Sequence, residues 1–427
     1  METKLKRELE FLEVTLCGIG IILGAGIYVL IGKVIGVAGN AAWLSFFISA
    51  LMASLTGLSY AELSSMFPKA GAEYVYTKKA FGQTLAFLIG WLILLSGIVG
   101  GATVAMGFSE YFTSIIKLPK ILLSILVVYF LSFIIFSGIK ESAKFMVLST
   151  ILEVFGLLLI IFIGLPFFGS VNYFEFNPEF GISGIFSGAA LIFFAYLGFE
   201  EIVKLSEETK RAETIIPKAL LFSIAITTLI YILVAISVVS IPGIKWDELN
   251  KAEAPLSLAA SKIFGKNGFL VVWFISLFST ANTCLFILLA ASRIMYGMAT
   301  ENTLPKIFSK VHKKRKTPYL AILFVAVLSS LFTLSENIKL VAGMTNLSVF
   351  LSFFVINSSL IWLRIKRPEI KRKFKIPFNI GRIPVLTVFS LLFCSFMIFQ
   401  LEFSTILLTL AVAFPGLFYS FLRKKFK

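Results

Sequence analysis

The sequence predicts an all-α polytopic membrane protein, and three observations carry that prediction. Of 427 residues 58% are hydrophobic and only 15% charged, with a mean hydropathy of +0.94, whereas an average soluble domain is about 25% charged. The apolar residues fall into runs about 20 residues long without alternation, the length of a helical span and not the pattern of a barrel strand. The 39 Lys and Arg, outnumbered by 46 Phe, gather between the runs. A soluble enzyme and an extracellular disulfide scaffold are thereby excluded.

Twelve segments emerge in order, at 12–37, 42–66, 84–112, 119–138, 144–167, 183–208, 217–241, 267–298, 319–335, 338–363, 384–401 and 404–422. Placing the N-terminus in the cytoplasm puts 31 of the 39 Lys and Arg on that side and eight on the other. This is the asymmetry of the positive-inside rule. It predicts a multi-pass protein of the cell membrane with both termini cytoplasmic, and it accounts for the net charge of +16 without nucleic acid. The longest connections are loops at 242–266 and 364–383, neither long enough for a domain. The N-terminus METKLKRELE is followed by no small-residue cleavage site, so no removable signal peptide is expected.

Cys17, Cys284 and Cys394 lie inside apolar runs without paired spacing and read as small packing residues. His312 is the single histidine and sits in a polar loop. Neither a metal site nor a cofactor is expected. An intramembrane enzyme would need a catalytic His, paired Asp or a nucleophile and base within the spans, and a channel would need a ring of charges or a filter repeat. The sequence has neither. Nor does it contain a Walker A motif for ATP drive.

Two segments carry interruptions. Segment 1 reads CGIGIILGAGIYVLIG, with Gly18, Gly20, Gly24 and Gly26 within nine residues; segment 6 reads FFAYLGFEEIVKLSEE, with Gly198 followed closely by Glu200 and Glu201. Each helical glycine costs about 1 kcal/mol relative to alanine, so a cluster needs a reason. Close helix–helix packing is the plainer one. The pairing points further: the breaks lie 174 residues apart with five spans between them. An odd number inverts the second unit relative to the first, and Gly-interrupted helices at matching positions of inverted halves mark a transporter site. A broken helix frees N–H groups on one side and carbonyls on the other, which matches a zwitterion bearing a carboxylate and an amine.

GIGIILGAGIYVLIG, SYAELSSMFPKAGAEYVY, IFFAYLGFEEIVKLSEETKRAETIIPKAL and ASRIMYGMATENTLPKIFSKVHKKRKTP together resemble the amino acid–polyamine–organocation transporters, in particular the cationic amino acid transporter branch and its prokaryotic relatives. The resemblance runs over about residues 10–420. It implies a secondary active carrier of amino acids with a five-plus-five inverted repeat, alternating access and broken helices 1 and 6. The repeats would span 12–167 and 183–363, with peripheral helices over 384–422, in a single transmembrane domain. The partners implied are an amino acid, a proton or sodium ion for coupling, and the bilayer. A polyamine or organic-amine carrier and a non-transporting amino acid sensor remain the alternatives.

By the same resemblance, the N–H groups of Gly24, Ala25, Gly26 and Ile27 would meet the substrate carboxylate, with the Ile22 carbonyl open to the amine. Phe194 would be a lid over the site, and the carbonyls of Phe194, Ala195 and Leu197, before the break at Gly198, would face the ammonium. Otherwise Phe194 is one apolar core residue among many.

Glu153 is the one ionisable residue away from the ends of segment 5, at a depth where a carboxylate costs about 2.5–3.5 kcal/mol on insertion scales. Many prokaryotic relatives carry a lysine there, so this chain departs from the pattern. Glu153 could bind a cation while ionised, carry a proton, or be satisfied locally with no coupling role. Ser279, Asn282 and Thr283 of segment 8 and carbonyls near Gly18 and Ile19 are expected to face it. Glu200 is a further coupling candidate, with an ordinary i,i+4 pair to Lys204 as the alternative. Glu62 reads as structural, and Arg293 as an anchor or a partner in an inner gate.

Overall fold

The computed structural model describes residues 9–69, 72–207, 209–300, 302–315 and 317–425. The termini at 1–8 and 426–427, and the motif residues Ala70, Gly71, Glu208, Glu301 and Lys316, lie outside them. Helices α1 (Phe11–Ile22) and α2 (Ala25–Ala38) form the broken first segment, followed by α3 (Ala42–Met66), α4 (Ala72–Phe81), α5 (Gln83–Thr113), α6 (Lys120–Ser137) and α7 (Ile139–Gly164). The second half runs through α8 (Ser183–Ile192), two 3-10 pieces (Phe193–Tyr196 and Phe199–Glu207), α9 (Ala212–Ser240), α10 (Trp246–Lys251), α11 (Pro255–Thr300), α12 (Tyr319–Thr333) and α13 (Ile338–Lys366). A short antiparallel pair, β1 (Asn379–Ile380) and β2 (Ile383–Pro384), then leads into α14 (Val385–Phe399) and α15 (Phe403–Lys425).

Among the described residues eight stretches are long and apolar enough to cross a membrane, or nine if the pair bent by 107° between α14 and α15 is one span. The difference from the twelve segments has local causes. Only the turn Gly39–Ala41, with Gly39 at φ 69°, separates α2 from α3, so 25–66 counts as one stretch, and α1 and α12 are only 12 and 15 residues long. The 242–266 connection is not a loop, as expected, but holds α10 and the first turns of α11. Asp247 and Glu248 at the start of α10 and Lys251 at its end suit its helix dipole. Gly265 (φ 57°) then kinks α11.

Hydrophobicity all round marks a helix that is buried all round. In α2 every residue but Lys33 and Val37 is buried, with α8 on one side and α11 on another. On α6, by contrast, Leu122, Leu126, Phe130 and Phe133 are exposed at helical spacing, a face suited to hydrocarbon. Small residues bring helices close: Ser45 and Ser49 of α3 donate to the Ile185 and Ala189 carbonyls of α8 at 2.8 and 2.7 Å.

Candidate functional site

The two interruptions meet at the centre of this packing. The α1 helix closes with the Leu23 N–H on the Ile19 carbonyl, and Leu23 and Gly24 are extended before α2 begins. After α8 the chain makes its first 3-10 turn, extends at Leu197 and passes through Gly198 at φ 117°. That is a conformation glycine adopts without penalty. A side chain at Gly198 would lie 2.9 Å from the Ile21 carbonyl, and one at Gly26 would lie 2.6 Å from the Ala195 Cβ. Two glycines therefore let the broken helices touch.

Starting α2 leaves its first N–H groups without partners inside the helix. The Ala25 N–H donates to the Thr283 hydroxyl of α11 at 2.8 Å. On the opposite side of the breaks, the Tyr231 hydroxyl of α9 lies 2.8 Å from the Ile22 carbonyl and 2.9 Å from the Ala195 carbonyl. One hydroxyl proton serves one carbonyl at a time, so the pair keeps acceptor capacity.

Beside these groups is a cavity lined by Ile22, Gly24 and Gly26 of the first break and by Phe194, Ala195, Leu197 and Gly198 of the second. Ala25 and Ile27 were expected there too, but they are fully packed behind the lining. The opposite wall comes from α5 and α11, through Ile93, Ser96, Gly97, Phe286, Ile287 and Ala290.

Glu153 is wholly buried in α7 and accepts the Ser279 hydroxyl at 2.6 Å, while its own backbone carbonyl accepts Tyr28 at 2.8 Å. Asn282 donates to Thr150 at 3.3 Å. Glu153 Oε2, Asn282 Oδ1 and Ser149 Oγ are buried without a hydrogen-bond partner among the described residues. Thr283 does not join this group. It lies one turn past Ser279, where α11 faces the Gly24–Ala25 break instead of α7. Gly18 packs toward Ser223 and Ile202, and it is Gly20 that meets Thr150.

The Glu200–Lys204 pair considered from spacing is not formed. Glu200 folds back to accept the Gly198 N–H at 2.9 Å, and Lys204 pairs with Glu201. Both carboxylates line the cavity. Below them, in α4, burial pushes the Glu73 carboxyl up, opposed by nearby Lys204; the Tyr60 hydroxyl reaches it at 3.4 Å. Glu62 is indeed held structurally: it is buried, grips Arg364 through both oxygens, lies 3.2 Å from Arg372 Nε and accepts the Ile376 N–H at 2.9 Å. For Arg293 no ion pair is found among the described residues, and its Nη1 is buried without a hydrogen bond.

The ends of the two broken segments away from α2 and α8 are also joined. Leu9 and Thr209 form an isolated parallel bridge, reinforced by an ion pair between Glu10 and Lys210 at 2.7 Å. Lys210 lowers the Glu10 carboxyl by hydrogen bond and charge.

Tyr231, Tyr28 and the α5 wall escaped sequence reasoning. Tyr231 sits in an apolar run, and a buried tyrosine needs a partner for its hydroxyl; that signal could have singled it out. The cluster Ser96, Gly97, Gly100 and Gly101 was the corresponding signal in α5.

The chain is similar to known transporters over nearly its whole length. The family model for amino acid permeases covers residues 9–421. The chain is 32% identical to the branched-chain amino acid permease BcaP of Bacillus subtilis over 99% of its own length and 94% of that protein's. It is 31% identical to the methylthioribose transporter of the same organism, over 93% of this chain and 89% of the relative. With cationic amino acid transporter 4 of Mus musculus it shares 31% identity, over 86% of this chain and 61% of the relative. With two broken helices meeting at a cavity and a family match over nearly the whole chain, the protein belongs to the amino acid permease family.

Proposed function

We propose that this permease is a secondary active amino acid carrier of the cell membrane that works by alternating access. The observation that carries the reading is the meeting of the two breaks: the start of α2 presents N–H groups without intrahelical partners, the Ala25 N–H resting on the Thr283 hydroxyl, and the Ile22 and Ala195 carbonyls lie within reach of a single hydroxyl. A zwitterion needs both kinds of group, held apart. In this reading Gly24 and Gly26, with Ala25 and Ile27 behind them, bind the carboxylate, and Phe194 covers the site. The carbonyls of Ile22, Ala195 and Leu197 take the amine after displacing Tyr231.

Twelve spans arranged as inverted repeats over 12–167 and 183–363, with 384–422 peripheral and both termini cytoplasmic, agree with the odd number of spans between the breaks and with the charge asymmetry. The cavity continues past Ile93 and Ile294 to Glu201. Those residues lie toward the helix ends that join the basic loops, so the conformation is inward-facing.

The side-chain end of the site favours a neutral, apolar amino acid. The α5 and α11 walls present Ile93, Phe286 and Ile287 but no carboxylate, and the two carboxylates that do line the cavity are occupied by the Gly198 N–H and by Lys204. A polyamine carrier would leave the N–H groups of α2 without use. Coupling is assigned to Glu153, with Ser279 and Asn282 as its neighbours, and to Glu200. Thr283 acts at the substrate break.

A thermal-shift screen of the purified protein against amino acids and polyamines, followed by counterflow in proteoliposomes, tests the reading. A ligand at about 100 times its Kd stabilises by about 2.7 kcal/mol. Leucine, isoleucine or valine is expected to give the shift and to exchange. Stabilisation by polyamines alone would overturn it.

A further inference from the structure

We propose that the connection between α13 and α14 is a preformed platform for anionic phospholipid headgroups. Residues 364–383 hold eight Lys and Arg against one carboxylate, Glu369. They are divided into two sets by contact. Arg364 and Arg372 turn inward to buried Glu62, and Arg364 also binds Asn379 at the base of the β1–β2 hairpin. The Ile376 N–H on Glu62 completes this root. The other set, including Lys366, Lys371, Lys373, Lys375 and Arg382, is exposed.

The hairpin that grows from this root turns at Gly381 and Arg382, and exposes apolar side chains on its first strand and just before it. Phe378 and Ile380 are 73% and 75% exposed. Phe378 presents its ring from a backbone at φ 56°, a left-handed conformation that costs a non-glycine residue roughly 1–2 kcal/mol. Strain maintained on an exposed apolar side chain points to a use for it. β2 runs directly into α14, an apolar helix, and the Phe378 carbonyl accepts the Val385 N–H at the start of that helix, so the hairpin stands at the level where headgroups meet acyl chains. Aromatic anchors lie alongside: Phe81 packs on Trp362 with ring centroids 5.7 Å apart, and the Lys366 ammonium sits 5.6 Å from the Trp362 ring.

Fixed cations around an exposed apolar wedge are complementary to an anionic interface, where phosphate is met by charge and the outer acyl region by Phe378 and Ile380. A soluble partner protein has no corresponding need for the aromatic belt. Because the root is Glu62 on α3, bound lipid would rest on the same ion pairs that tie α3 to α13.

The test uses the full chain in nanodiscs, with Ile380→Cys carrying an environment-sensitive dye in a Cys17→Ser background. One set of discs is zwitterionic, the other contains phosphatidylglycerol. The expected result is a blue shift of the dye in anionic discs, reversed by high salt. It should be lost when Lys371, Lys373 and Lys375 are replaced by Gln, since each lysine near an anionic surface is worth roughly fivefold in affinity. These three lysines are exposed and outside the Glu62 cluster, so an unchanged melting temperature verifies folding. Equal dye spectra in both disc types, or a triple variant that shifts like the parent, would overturn the proposal. A shift produced by inorganic phosphate in zwitterionic discs would also overturn it, assigning the cations to a soluble anion.

Discussion

Ser279 donates its hydroxyl to the Glu153 carboxylate at 2.6 Å and, with Asn282 on Thr150, joins α11 to α7 next to the first helix break. The second oxygen of Glu153 is buried without a partner among the described residues. A carboxylate half satisfied at this depth is an acceptor waiting for a proton or a cation.

Replacing Glu153 by Gln is therefore expected to retain exchange of substrate for substrate and to lose gradient-driven accumulation, by tenfold or more on the order of one lost coupling site. Sodium-free proteoliposomes with an imposed inward pH gradient separate the two ions: a proton carrier accumulates substrate there and a sodium carrier does not. Protons are favoured because Ser279 and Asn282 supply few oxygens for a complete sodium cage. Unchanged accumulation in the variant removes Glu153 from coupling.

Gly26 touches Ala195 so closely that even Gly26→Ala is expected to part the two breaks. Overpacking costs typically about 1–3 kcal/mol, so both melting temperature and substrate binding should fall. Thr283→Val isolates the chemical part. It keeps the volume but deprives the Ala25 N–H of its acceptor, and binding measured by titration should weaken roughly tenfold. Wild-type affinity in both variants would place the substrate elsewhere.

Near the C-terminal end of α3, Glu62→Ala would strand Arg364 and Arg372 in a buried site. Breaking such a pair by removing one partner costs about 3–5 kcal/mol, and a lowered melting temperature in detergent is the expected sign. Glu62→Gln should lose less, since it still accepts from Arg364. A melting temperature equal to wild type in Glu62→Ala would show the cluster to be solvated.

Glu73 predicts a pH dependence of opposite sign to that of a carboxylate held in an ion pair. Burial raises its pKa above the ordinary 4.5, so the folded state holds its proton more tightly than the unfolded chain. The associated stability is present below that value and is lost as pH rises through the folded pKa. Glu73→Gln removes this loss, so its melting temperature should draw ahead of wild type on going from acid toward neutral pH. A difference that stays constant with pH would contradict the assignment.

Helix breaks were legible because glycine clusters inside apolar runs have no cheap explanation, and the placement of Gly24, Gly26, Phe194 and Gly198 around one cavity follows from them. Glu153 stood out by its insertion cost. What stayed hidden depends on where along its axis each helix meets its neighbours: Thr283 and Ser279 share a face one turn apart, yet one meets the break and the other Glu153. Tyr231 was passed over because a single tyrosine leaves the periodicity of an apolar run intact. The α10 helix was missed because its six residues hold only Trp246 and Leu249 as apolar side chains, too few to show a period, and the Glu200–Lys204 spacing misled because the 3-10 backbone of Phe199–Glu207 brings i and i+3 together instead of i and i+4.

The bridge between Leu9 and Thr209, with Glu10 on Lys210, makes a yoke of two half-helices that are 200 residues apart in the chain. A yoked pair has one degree of freedom where two separate hinges would have two. Labels placed on α1 and on the Phe199–Glu207 piece should thus report the same single relaxation during turnover, and Lys210→Pro, which removes both the N–H on the Leu9 carbonyl and the ammonium on Glu10, should split it into two.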